Sequence, residues 1–295
     1  MTSPPRTAQS ATAQSAMASA VLLAPGQDQP LLDSHVQSFL DRQAEAPSFA
    51  EEPSPAPTAR ARQHFRPSNL RSGGAAMLYL HVPDSEGQAP DEAVQLIADR
   101  ACALLVLQSL PLHSGIEELE PVIVAALEEL KSATALLLGG HGIGALIATC
   151  FASRPASAPF SLELLVLATP LLAWPDASGS TPWLPTDAAR GRAALARKML
   201  DEAGWPGGYN EDRLHRLPPV LILTAEVDPF RRGAEHFARR LLAAEGDVSA
   251  LRTIGSIHDF VWLPDLLDAR CTKPAHALIV DALCPQPRDA VAEVG

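Results

Sequence analysis

The chain has 295 residues, 47% of them hydrophobic, with 27 prolines and 18 glycines. That size supports one large α/β domain or two small ones with a real core. The charge balance, 34 acidic against 23 basic side chains for a net −11 with no basic cluster, speaks against nucleic-acid or anionic-membrane binding. Four scattered cysteines, Cys102, Cys150, Cys271 and Cys284, form no C-x-x-C pair. They read as buried thiols, with no disulfide scaffold, zinc knuckle or redox motif. No apolar run reaches the ~18 residues of a membrane span, and the N-terminal residues do not read as a signal peptide, so a cytoplasmic location is the default expectation.

In chain order, residues 1–30 are a Ser/Thr/Ala/Gln/Pro-rich stretch with the composition of a flexible tail. Residues 31–57 hold a short amphipathic helix at 31–44, carried by Leu31, Leu32, Val36, Phe39 and Leu40, and then a Pro-rich connector. Residues 58–66 form one short outer strand. From residue 75 near-continuous apolar runs alternate with helical patterns: a strand at 76–82, a helix at 89–100, a strand at 103–107 and a helix at 116–131. Ser114, with Glu117 three residues on, fits a capping box for that helix. A third strand at 133–138 leads through the turn Gly139–Gly144 into a helix from Ala145. Strands at 162–168, 220–224 and 248–253 follow, with helices near 187–202, at 231–245 and at 274–283. Buried strands alternating with helices predict a mostly parallel central sheet covered by helices on both faces, with functional groups beyond the carboxyl ends of its strands.

The turn Gly140-His141-Gly142-Ile143-Gly144 has the small residues of a G-x-S-x-G nucleophile elbow, but its central residue is Gly142. A phosphate cradle fits less well, because no acidic residue ends the following strand and no Lys-Ser/Thr pair is present. Downstream, Leu223-Thr224-Ala225-Glu226-Val227-Asp228-Pro229-Phe230-Arg231 follows a strand, as does Gly255-Ser256-Ile257-His258-Asp259-Phe260. With the elbow, and with Leu78-Tyr79-Leu80-His81 at an earlier strand end, these segments resemble the hormone-sensitive-lipase-like esterases of the α/β-hydrolase superfamily, the bacterial carboxylesterase branch. The resemblance covers about residues 58–285, and more weakly 31–46 as a cap.

The resemblance implies an α/β-hydrolase fold over 58–295 with small helical cap elements, including an insertion at about 171–216. It implies His258 and Asp228 as the base and its orienting acid, and a site that takes a small molecule. The chain departs from the family at the nucleophile, where Gly142 offers no side chain, and at the oxyanion segment, where His81-Val82-Pro83-Asp84 replaces His-Gly-Gly-Gly. Pro83 has no N–H, and Asp84 would bring negative charge to a place meant for a developing oxyanion. Candidate ligand-contacting residues are His81, Asp84, Gly142, Ile143 (through its backbone N–H), Trp174 and Trp183. The tryptophans either roof an apolar pocket or simply pack a large loop.

Three readings follow. In the first, His258 and Asp228 run non-hydrolytic acid–base chemistry, such as elimination, cyclisation or isomerisation, with one imidazole nitrogen free to face the pocket. In the second, the pair is a relic that braces two loops in a catalytically inactive binding, scaffold or regulatory protein. In the third, His258 activates water for ester hydrolysis. No cofactor or metal is expected, and a homodimer is implied only by the resemblance.

Overall fold

A computed structural model describes residues 31–45, 62–70, 74–83, 90–111, 114–172, 186–202 and 211–284. The expected tail at 1–30, Asp84, Trp174 and Trp183 lie outside the described residues. In chain order the elements are α1 (Ser34–Glu45), β1 (Arg62–Phe65), β2 (Ala76–His81), α2 (Asp91–Ala101), β3 (Leu104–Ser109), α3 (Ile116–Leu130), β4 (Leu136–His141) and α4 (Gly142–Ala152). There follow β5 (Leu162–Ala168), α5 (Thr186–Glu202), α6 (Glu211–Leu214), β6 (Val220–Val227), α7 (Arg231–Ala243), β7 (Val248–Ile257) and α8 (Thr272–Leu283).

The strands form one sheet in the order β1-β3-β2-β4-β5-β6-β7. Only the β1–β3 pairing is antiparallel, and the other five are parallel. Because side chains alternate across a strand, each central strand feeds two cores. Leu78, Leu80, Leu138, Leu165, Leu167 and Ile222 pack with α3, α4, α5 and α7. Met77, Tyr79, Leu137, Val166, Leu221 and Leu223 pack on the other face with α1, α2 and α8. The strands therefore have no polar side to spare, which is why they read as continuous apolar runs.

Three local expectations are corrected. The strand placed at 133–138 begins at Leu136 and runs on through Gly139 and Gly140, which pair with Tyr79 and Leu80. The helix expected from Ala145 accordingly starts at Gly142, directly against the strand end. Ser114 does not cap α3: the cap residue is Gly115, with no side-chain cap hydrogen bond, and Glu117 instead lies 3.9 Å from Arg154.

At the β4–α4 junction helix and sheet approach very closely. A Cβ on Gly144 would collide with the Leu80 carbonyl oxygen, so only glycine lets the helix lie this close to β2. All eleven residues of α4 are buried. The helix N-terminus is thereby fixed at the carboxyl ends of the central strands.

Candidate active site

Four chain segments meet above those strand ends: the β4–α4 turn, the residues after β5, the loop after β6 and the loop after β7. Gly142 has φ +51°, the left-handed backbone that turns the chain sharply from strand to helix. A Cβ placed there would lie 3.6 Å from Leu171 Cδ1 and 4.0 Å from both His258 Nε2 and Asp259 Oδ1. A side chain at this position would thus point straight at the imidazole. The Leu171 N–H donates to the Gly142 carbonyl at 3.2 Å and holds the post-β5 residues over the turn.

Asp228 follows β6, and its Oδ1 accepts the Phe230 N–H at 2.8 Å, which sets the carboxylate's direction. Its Oδ2 lies 3.0 Å from His258 Nδ1. That contact is an ion pair off the line of a well-directed hydrogen bond. The His258 side chain is 0% exposed and packs against Phe230, with ring centroids 5.4 Å apart.

The other imidazole nitrogen is buried and has no hydrogen-bond partner among the described residues. Nε2 faces Asp259 Oδ1 at 3.5 Å. Asp259 also accepts from Thr169 Oγ1 at 3.2 Å and from Arg192 of α5 at 3.5 Å. Burial pulls the His258 pKa down, but the carboxylates of Asp228 and Asp259 outweigh it and the pKa ends above its ordinary 6.5. Burial likewise pushes Asp259 up, and His258, His141 and Arg192 together reverse this to about 2. Asp259 is therefore held as a carboxylate, and beside it His258 takes up a proton more readily than a free imidazole does.

Of the other candidates, His81 ends β2 and is 6% exposed, with its ring 5.1 Å from His141. Burial, and then the neighbouring His141, lower its pKa to about 3, so it stays neutral. Its Nδ1 has no hydrogen-bond partner among the described residues. Beside it Tyr79 and His141 Nδ1 share a hydrogen bond of 2.8 Å, and the Trp262 ring lies tilted against Tyr79 with centroids 4.2 Å apart. Ile143 is the second residue of α4, so its N–H is one of the helix's unclaimed donors. Sequence reasoning assigned no role to Asp259, Thr169 or Arg192. Asp259 stood next to His258 in the quoted segment, whereas Thr169 and Arg192 carried no local signal at all.

A strand, a tight glycine elbow, an acid after β6 and a histidine after β7 occur here in that order. The fold is an α/β-hydrolase fold. A sequence profile described as alpha/beta hydrolase fold matches residues 122–262, and no curated protein matches the chain. Among solved structures, the chain is similar to a thermostable esterase from Pseudomonas putida, at 19% identity and TM-score 0.70, covering 88% of this chain and 98% of that one. It is also similar to carboxyl esterase 2 from the mycorrhizal fungus Tuber melanosporum, at 20% identity and TM-score 0.66 with 86% and 98% coverage. A third similar structure is a hyperthermophilic esterase from the archaeon Pyrobaculum calidifontis, at 20% identity and TM-score 0.61 with 85% and 90% coverage. Among the described residues, no helix is long and apolar enough to cross a membrane and no group of His, Cys, Asp or Glu side chains could hold a metal ion.

Proposed function

We propose that this chain is a hydrolase-fold protein that lacks the nucleophilic serine and binds a small, mainly apolar molecule without hydrolysing esters through an acyl-enzyme. The observation that carries this reading is Gly142: the residue occupies the elbow, 4.0 Å from Nε2 at its Cβ position, and brings no hydroxyl. The negative charge of Asp259 facing Nε2 at 3.5 Å supports a non-catalytic site, because it lies where a general base would meet its substrate. The Asp228–His258 pair then acts as a brace between the loops after β6 and β7.

The test is covalent labelling. A fluorophosphonate probe is expected to leave the wild-type protein unmodified, and stoichiometric labelling overturns the proposal. Gly142→Ser supplies the hydroxyl from a Cβ that meets only ordinary van der Waals contacts, at the cost of a side chain on a left-handed backbone of φ +51°, and slow labelling of that variant supports the assignment of the elbow.

The second reading, non-hydrolytic acid–base chemistry, draws on the space that Gly142 leaves beside the imidazole. It requires Asp259 to withdraw from Nε2, and it predicts a ligand that wild type turns over and His258→Ala does not. Water-activated ester hydrolysis makes the same demand on Nε2 and has less oxyanion provision, since Pro83 supplies no N–H. A homodimer, tested by sedimentation, is compatible with each reading.

A further inference from the structure

Strand β7 is an edge of the sheet, and among the described residues it pairs only with β6. The Val220 N–H donates to the Asp247 carbonyl at 2.9 Å, and the Thr224 hydroxyl to the Leu251 carbonyl at 3.4 Å. Asp247, Ser249 and Leu251 are thereby turned toward β6. By the alternation of a strand, Val248, Ala250 and Arg252 direct their N–H and C=O groups to the outer side. The two faces of this edge differ in chemistry. On the α7 face Arg252 donates to Glu235 at 2.7 and 2.8 Å, while Arg231 and Arg239 lie 3.9 and 3.8 Å from the same carboxylate. Three guanidiniums are thus gathered around Glu235. Glu226 of β6 adds a second carboxylate, which accepts the Gly255 N–H at 2.8 Å. On the face toward α1 and α8, Leu251 and Thr253 border a cavity of about 410 Å³ whose walls include Leu31, Leu32 and Pro274. The Asp33 carboxylate in that wall is engaged by the N–H groups of His35 and Cys271. Leu31 and Ile254 at the rim are 88% and 61% exposed, apolar surface with no cover among the described residues.

We propose that the β7 edge docks an extended peptide of a partner protein, in which acidic and apolar side chains alternate. A strand laid along β7 forms main-chain hydrogen bonds with Val248, Ala250 and Arg252. Its side chains then point by turns to the two faces. Those on the α7 side meet Arg252 and Arg239, which suits carboxylates. Those on the other side meet the cavity beside Leu251 and Pro274, which suits aliphatic groups. A second copy of this chain fits the edge poorly. Paired antiparallel on β7, it would set Arg252 and Arg239 against their own counterparts, and like charges across a strand pair are destabilising. This surface is separate from Gly142 and His258, so the inference goes beyond the reading of that site and does not depend on it.

The test titrates the full chain into a fluorescein-labelled peptide, Glu-Val-Glu-Val-Glu-Val, and follows fluorescence anisotropy. Saturable binding is expected. The block peptide Glu-Glu-Glu-Val-Val-Val has the same charge without the alternation, and is expected to bind about ten-fold more weakly. Ala250→Pro removes an outward N–H while leaving the ladder with β6 in place, as edge strands tolerate. It is expected to weaken the alternating peptide by about ten-fold, the scale of one lost hydrogen bond. Should Ala250→Pro fail to fold, Arg239→Glu on the exposed side of α7 replaces it, with an expected loss of about three-fold, the scale of an exposed ion pair. No saturable binding, equal binding of the two peptides, or indifference to the substitution overturns the proposal. Sedimentation adds one further outcome. A dimer that the peptide leaves intact and Ala250→Pro splits would show the edge taken by a second copy, and overturns it as well.

Discussion

His81 and His258 lie at the carboxyl ends of the same sheet and are shifted in opposite directions. His258 has two carboxylates for neighbours and is raised above 6.5, while His81 is held near 3 by burial and, after it, by a second imidazole. The consequences for stability are opposite in sign. His258 contributes stability that is fully present below pH 6.5 and is lost as pH rises through its raised folded pKa. His81, neutral in the fold, opposes folding once the unfolded chain begins to take up its proton below pH 6.5. By about pH 4.5 that difference amounts to about 2–3 kcal/mol. Urea denaturation of His81→Gln is accordingly expected to be flatter than wild type between about pH 6.5 and pH 4.5, by roughly that amount. An unchanged slope would mean that His81 is solvated in the folded protein.

At the scale of elements, the strand–turn–helix unit of β4 and α4 does most to position the site. Its geometry depends on Gly144, where any Cβ meets the Leu80 carbonyl oxygen. Backbone cannot swing aside as a side chain can, so Gly144→Ala is expected to cost about 3 kcal/mol, at the upper end for an overpacked core. Guanidinium denaturation measures it, and a cost below about 1 kcal/mol would show that α4 can slide away from β2.

The apolar runs, the glycine elbow and the acid and histidine after two late strands were legible in the sequence, because each is a short stretch with its own signature. The start of β4 was not. Ala133 and Ala135 are as apolar as the strand that follows, and Gly139 and Gly140 read as a turn although their backbones continue the ladder with β2. The occupation of Nε2 was also hidden. It needs a left-handed Asp259, Thr169 ninety residues away and Arg192 sixty-seven residues away, and no spacing rule links these.

Across the whole molecule, helix α1 is joined to the far edge of the sheet. Val36, Phe39 and Leu40 are buried in the core on that face, together with Leu266 and Ile257. Asp33 donates its N–H to the Gly255 carbonyl at 3.0 Å, and its carboxylate accepts the N–H groups of His35 at 2.9 Å and Cys271 at 3.3 Å. Phe39→Ala is therefore expected to destabilise the whole domain by about 3–5 kcal/mol, the usual cost of emptying a buried aromatic site. Calorimetry should show a single lowered transition. A separate early transition would mean that α1 is an appendage, unfolding independently of the sheet.

The contact between Asp33 and Cys271 spans 238 positions of the chain. During synthesis α1 leaves the ribosome first and its partners leave last. At about 5–20 residues per second the wait is on the order of ten to fifty seconds. For that interval the apolar stripe of Val36, Phe39 and Leu40 has no native surface to cover it. Native burial of that stripe therefore waits on β7, the last strand to be made.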